Sequence, residues 1–138
     1  MNSKISKSML GGVIGTVIMS LVMYVAPIMG MPKMSPPDML AVMMGMPVII
    51  GWVMHFIIGV IFSFVYTYLF APKIKIGSIF LKGAVFGFVV FIFAQIMLVI
   101  IGAMLPMPEI ESSMILTMIG SIIGHVIFGM SVSRTVNY

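Results

Sequence analysis

The sequence predicts an all-α integral membrane protein with four transmembrane helices, arranged as two tandem two-helix repeats, plus a short interfacial helix in the first outer loop. Hydrophobic residues make up 62% of the 138 residues and charged residues only 7%, whereas about a quarter of the residues are charged in a soluble domain. The apolar segments are also long enough, at about 1.5 Å per helical residue, to cross a hydrocarbon core of ~30 Å. We therefore expect one transmembrane domain over residues 1–138.

Four apolar segments follow one another along the chain. The first comes after a short lysine-containing leader and lacks a small-x-small cleavage site, which predicts an uncleaved helix and not a secretory signal. The third carries Gln95, whose amide must find a partner in lipid and is therefore expected to face the bundle interior. The predicted spans are residues 9–29, 47–70, 83–105 and 113–132.

The first outer loop contains the start signals of a helix. Ser35 is a favoured N-cap residue, and the prolines that follow it are tolerated in a first helical turn. Asp38 places a carboxylate near the positive end of the helix dipole. A short helix lying in the membrane interface is therefore expected after Ser35.

Basic residues predict the orientation of the spans. One side carries most of them and the other carries Lys33 alone, so the positive-inside rule places both termini in the cytoplasm of a bacterial inner-membrane protein. Because these charges are spread over the span ends and form no single patch, the net charge of +4 does not indicate nucleic-acid binding. The residues on the predicted cytoplasmic side are Lys4, Lys7, Lys73, Lys75, Lys82 and Arg134.

The two halves of the chain resemble each other. Glycines of the first and third spans match at an offset of 72, and a His-x3-Gly-x3-Ser pattern in the second and fourth spans matches at an offset of 70. Because each repeat is a two-span hairpin, the copies are expected to share one orientation in the membrane. The matched pairs are Gly11 with Gly83, Gly15 with Gly87, Gly30 with Gly102, His55 with His125, Gly59 with Gly129 and Ser63 with Ser133.

Three short stretches carry a resemblance to a known family. They are GWVMHFIIG at Gly51 to Gly59, KGAVFG at Lys82 to Gly87 and IIGHVIFG at Ile122 to Gly129. With its Gly-Trp-x-x-His-Phe element, the chain resembles over nearly its whole length an uncharacterised family of small four-span bacterial membrane proteins. The resemblance implies four spans and marks His55 and His125 as pattern positions, and it implies no established activity.

The only two histidines, His55 and His125, are expected near the middle of diagonally opposed spans. In that arrangement they could ligate a b-type haem from both sides, and nearby glycines would leave room for the porphyrin. Alternatively, each imidazole bonds a carbonyl, Ser20 or Gln95 and only fixes helix packing. The residues assigned to a cofactor site are His55, His125, Gln95, Gly51, Gly59 and Gly129.

Methionines suggest copper as a second metal. The chain has 18 of them, several in the first outer connection, and thioethers are soft ligands for Cu(I). Met31, Met34 and Met43 together with the two histidines are therefore candidate copper ligands. Because methionine is also a flexible apolar filler, packing is the competing explanation.

The sequence contains no set of residues with the types and spacing of a catalytic site. Cysteine is absent and no carboxylate lies within a predicted span, which argues against an enzyme and against a proton relay. We therefore expect a small non-enzymatic inner-membrane protein, an accessory or assembly subunit that contacts the lipid bilayer and other membrane subunits or a second copy. The alternatives are haem or copper binding through the histidines and small-molecule passage between the repeats.

Overall fold

The computed structural model describes residues 3–107 and 113–136. Within these residues the chain is helical with no strand, and four of its helices are long and apolar enough to span a membrane. The predicted all-α class is thereby confirmed, and the number of helices that could span a membrane equals the predicted four. Most of the predicted second outer loop, 106–112, lies outside the described residues. The helices are α1 (Ser3–Val25), α2 (Pro36–Met44), α3 (Val48–Val65), α4 (Ile79–Gly102) and α5 (Met114–Val136).

Helix α1 begins inside the lysine-containing leader, because nothing in that leader breaks a helix. It tightens into a 3₁₀ turn at Ala26–Met29, where Pro27 occupies the first turn and has no N–H to donate. Gly30 then ends the segment with φ 82°, a left-handed conformation that suits glycine. The chain leaves the first span at this point.

Helix α2 forms where the sequence predicts a helix in the first outer loop. The Ser35 hydroxyl accepts a hydrogen bond from the Asp38 amide at 3.4 Å, as expected for an N-cap. Gly45 closes the helix with φ 61°. Pro37 and Ala41 are buried and face α3, so α2 folds onto the bundle.

The chain turns between α3 and α4 at the end that carries most of the basic residues, which we call the basic end (Lys4, Lys82 and Arg134). Helix α3 continues into a π-helical segment, Tyr66–Phe70, in which the Ala71 amide bonds the Tyr66 carbonyl at 2.8 Å. Helix α4 then begins at Ile79, capped by Ser78, so Lys82 lies inside its first turn. The helix therefore begins four residues before the predicted third span, which starts at residue 83. The charge of Lys82 ends the apolar run in the sequence, but a lysine does not end a helix.

The helices pack in the spatial order α2, α3, α1, α5, α4. Helices α1 and α5 are therefore central. Helix α1 packs between α3 and α5, and α5 packs between α1 and α4. Helices α3 and α4 meet mainly through aromatic rings, including Phe62 with Phe93 at 5.6 Å and Tyr66 with Phe86 at 5.0 Å between ring centroids. The buried core lies between α1, α5 and these rings.

Glycines let the backbones approach closely at two seams. At the α1–α3 seam, a Cβ added to Gly12 would lie 2.9 Å from the Gly59 carbonyl oxygen. At the α4–α5 seam, a Cβ added to Gly129 would overlap the Gly83 carbonyl oxygen and lie 2.5 Å from the Gly87 nitrogen. Both seams are therefore closed by backbone against backbone, the packing typical of small residues in membrane helices.

Candidate histidine site

His55 lies on α3 with its ring turned towards α1. It is 8% exposed, and its Nε2 lies 3.4 Å from the Ser20 hydroxyl oxygen. The Trp52 ring contacts it edge-on, with ring centroids 6.3 Å apart. Ser20 is one of the partners that the sequence suggests for this imidazole, and the contact joins α3 to the C-terminal half of α1.

His125 lies at the centre of α5 and bonds within its own helix. Its Nδ1 is 2.7 Å from the Ser121 carbonyl oxygen. Because a carbonyl only accepts, Nδ1 carries the proton, which leaves Nε2 of the neutral ring as an acceptor. Phe91 of α4 contacts the ring edge-on at 6.0 Å between centroids.

The glycines assigned to the cofactor site face different helices. Gly51 lies against α2, where a Cβ would overlap the Pro37 carbonyl oxygen. Gly59 lies against Thr16 of α1, and Gly129 lies against Gly83 and Gly87 of α4. The space beside each glycine is therefore filled by protein, and these contacts favour the packing explanation over a shared porphyrin pocket.

Gln95 lies on α4 one turn after Phe91, which is 6% exposed and contacts His125 of α5, so it lies at the border of the α5-facing side. Its side chain is half-buried and borders a shallow surface cavity with Ile96, Val99 and Ile100. Residues two positions apart on a helix point about 200° apart, so Gln95 points away from Phe93, which contacts α3. No hydrogen bond to the Gln95 amide is found within residues 3–107 and 113–136.

The methionines assigned to copper are only partly brought together. Met31 and Met34 converge on Gly120 of α5, where a Cβ would lie 3.2 Å from the Met34 sulfur. Met43 is buried on α2, which packs on α3. In the described part of the chain no group of three or more His, Asp or Glu side chains is placed to hold a metal ion.

A cavity at the basic end is a feature that the sequence does not reveal. Its volume is about 370 Å³, and no histidine lines it. The side chains that give it chemical character come from four separate parts of the chain. They are Lys4, Tyr66, Lys82 and Ser133. Because these residues are widely spaced in the sequence, the one feature of the sequence that could indicate the cavity is the basic turn before α4. The same turn also indicates the orientation of the spans, so it does not by itself reveal a cavity.

Comparison with known proteins gives a family and no activity. No curated protein and no solved structure matches the chain. A family model described as a family of unknown function, DUF6789, matches residues 2–138. The match covers nearly the whole chain, including all four apolar helices and both histidines. The chain therefore belongs to the family of unknown function DUF6789.

Proposed function

We propose that this protein is a non-enzymatic subunit of the bacterial inner membrane that binds another membrane helix against α4, in an accessory or assembly role. The observation that carries the proposal is the Gln95 amide, which is half-buried on an apolar helix and has no partner among the described residues. An amide left without a hydrogen bond in hydrocarbon costs several kcal/mol. A second helix that supplies a donor and an acceptor would remove this cost.

The surface around Gln95 suits a helix. Val99 follows one turn later and is 75% exposed, and Ile96 and Ile92 are also exposed. These exposed side chains lie next to Gln95 on α4, so a partner helix could reach this border of the helix. The glycine steps of α1 and α4 are occupied by neighbouring helices of the same chain, so they are not available to a partner.

The simplest occupant of this face is the same face of a second copy. A side-chain amide is both donor and acceptor, so two Gln95 side chains can satisfy each other across a twofold axis. A different membrane subunit would need an amide or hydroxyl at the same depth. Either occupant gives the protein a lateral binding role and requires no catalytic group.

Replacing Gln95 with leucine is expected to weaken self-association in detergent. The interhelical hydrogen bonds would be lost, and such bonds are worth about 1 kcal/mol, or roughly fivefold in the dimer dissociation constant. Sedimentation equilibrium of the purified protein measures that constant. Gln95→Asn keeps an amide and should retain most of the affinity. An unchanged dissociation constant in Gln95→Leu would argue against an amide contact between copies.

The tandem repeats and the membrane orientation belong to the same proposal. Gly11 lies beside Ser63 in the first half, and Gly83 lies beside Ser133 in the second, which supports the sequence offsets of 72 and 70. The cluster of basic residues at one end supports placing both termini in the cytoplasm. Helix α2 would then lie at the surface of the inner membrane that faces away from the cytoplasm, with Asp38 and Val42 exposed.

A second candidate function, haem or copper binding, is favoured by one feature of His125. Its Nδ1–H is fixed by the Ser121 carbonyl, which is the arrangement that presents Nε2 to a metal. If the two histidines share a haem, protein expressed with haem available should show α and Soret bands in a reduced-minus-oxidised spectrum. Those bands should vanish in both His55→Ala and His125→Ala. A spectrum without them, together with a copper content of zero, would remove this candidate.

A further inference from the structure

The cavity at the basic end is enclosed by side chains from four segments of the chain. Its volume is about 370 Å³, which is within the range of about 300–1,000 Å³ found for small-ligand sites. Its walls come from the start of α1, the π-helical segment, the turn before α4 together with the first turn of α4, and the end of α5. The pocket is thus located where a membrane helix bundle meets lipid headgroups.

The cavity wall is basic. Lys4 and Lys82 both line it, and none of the lining residues among 3–107 and 113–136 is acidic. Lys82 is half-buried in the first turn of α4 and lines the cavity. The positive end of the 24-residue helix α4 adds to this potential.

Two buried hydroxyl groups complete the wall. Ser133 is 1% exposed, and its hydroxyl lies within donating distance of the Met130 carbonyl of its own helix, at 2.9 Å, and of the Ile79 carbonyl at the start of α4, at 3.0 Å. Tyr66 is 4% exposed and lines the same cavity as Ser133. The π-helical turn that begins at Tyr66 is a rare conformation that is often associated with functional sites.

We propose that this cavity binds a phosphate group, held by Lys82 and Lys4 with the Tyr66 hydroxyl beside it. Basic pockets between transmembrane helices at the basic side of a bundle are suited to phospholipid headgroups. The same chemistry would accept a free phosphate ion. The ligand source is therefore either an anionic lipid, whose chains lie along the exposed apolar faces beside the pocket, or inorganic phosphate.

Native mass spectrometry of the full-length protein in an uncharged detergent tests this proposal. The protein is titrated with phosphatidylglycerol, with phosphatidylcholine and, separately, with inorganic phosphate. The Lys82→Gln variant is expected to bind the phosphate-bearing anion about fivefold more weakly than the native protein. Lys75→Gln is the matched control, because Lys75 lies in the same basic turn but does not line the cavity.

The possible outcomes distinguish a lipid headgroup from inorganic phosphate, and both of these from a failure of the proposal. Selective retention of phosphatidylglycerol, reduced in Lys82→Gln and unchanged in Lys75→Gln, identifies a lipid headgroup. Binding of inorganic phosphate with the same dependence on Lys82, and equal retention of both lipids, identifies a free anion. Equal losses in the two lysine variants, or no binding of either anion, would overturn the proposal. Thermal unfolding of each variant verifies that it is folded.

Discussion

Replacing Gly129 with alanine is expected to open the α4–α5 seam and cost the protein most of its stability. The added Cβ would overlap the Gly83 carbonyl oxygen and lie 2.5 Å from the Gly87 nitrogen. These are backbone atoms of an opposing helix and cannot move aside as a flexible side chain does. Alanine favours helix by about 1 kcal/mol over glycine, so a loss of stability would come from the seam and not from helix propensity.

We expect Gly129→Ala to lower the free energy of unfolding by at least about 3 kcal/mol, at the upper end of the range for overpacked interiors. Thermal unfolding in detergent and the monodisperse fraction on size exclusion measure the effect. Gly77→Ala is the control, since nothing lies within 4 Å of a Cβ at that position. Similar unfolding curves for Gly129→Ala and the native protein would mean that the helices are not in backbone contact there.

Replacing Gly51 with alanine should release α2 from the bundle without unfolding the four long helices. A Cβ at Gly51 would overlap the Pro37 carbonyl oxygen and lie 3.1 Å from the Ala41 nitrogen. Helix α2 packs mainly on α3, so losing that contact frees it locally. Few other buried contacts hold α2, and such elements open at low cost.

Labelling of single cysteines measures this release, because the native chain has no cysteine. A cysteine at Ala41, which is 4% exposed, should be protected in the native background and react at least about tenfold faster with Gly51→Ala. A cysteine at Val42, which is 44% exposed, should react readily in both backgrounds. Continued protection of position 41 in Gly51→Ala would show that α2 does not depend on close approach at Gly51.

Much of the fold follows from the sequence because its signals are local. Runs without charged residues predict the four spans, and the Ser35 cap predicts α2. Glycine spacing also predicts close helix contacts, and the structure has them. The partner of each glycine is not a local property, however. Gly51 contacts a neighbouring short helix, whereas Gly59 contacts α1.

The candidate sites depended on information that the sequence carries only weakly. Gln95 lies at the border between the α5-facing side and the exposed side of α4. Since a helix rotates about 100° per residue, a small error in the predicted facing moves a side chain from the core to the surface. The basic-end cavity joins residues as distant as Lys4 and Ser133. The π-helical turn at Tyr66 has no sequence signature comparable to a cap or a proline.

Disulfide cross-linking in native membranes tests the binding role of α4 most directly. A single cysteine at Val99, one turn from Gln95 and 75% exposed, should form an oxidation-dependent product. A dimer at twice the 15.1 kDa chain mass indicates a second copy, and any other discrete mass indicates another subunit. A cysteine at Leu21 of α1, 58% exposed, is the control and should give no product. If Val99→Cys also gives none, or if both give the same product, α4 does not carry a specific partner.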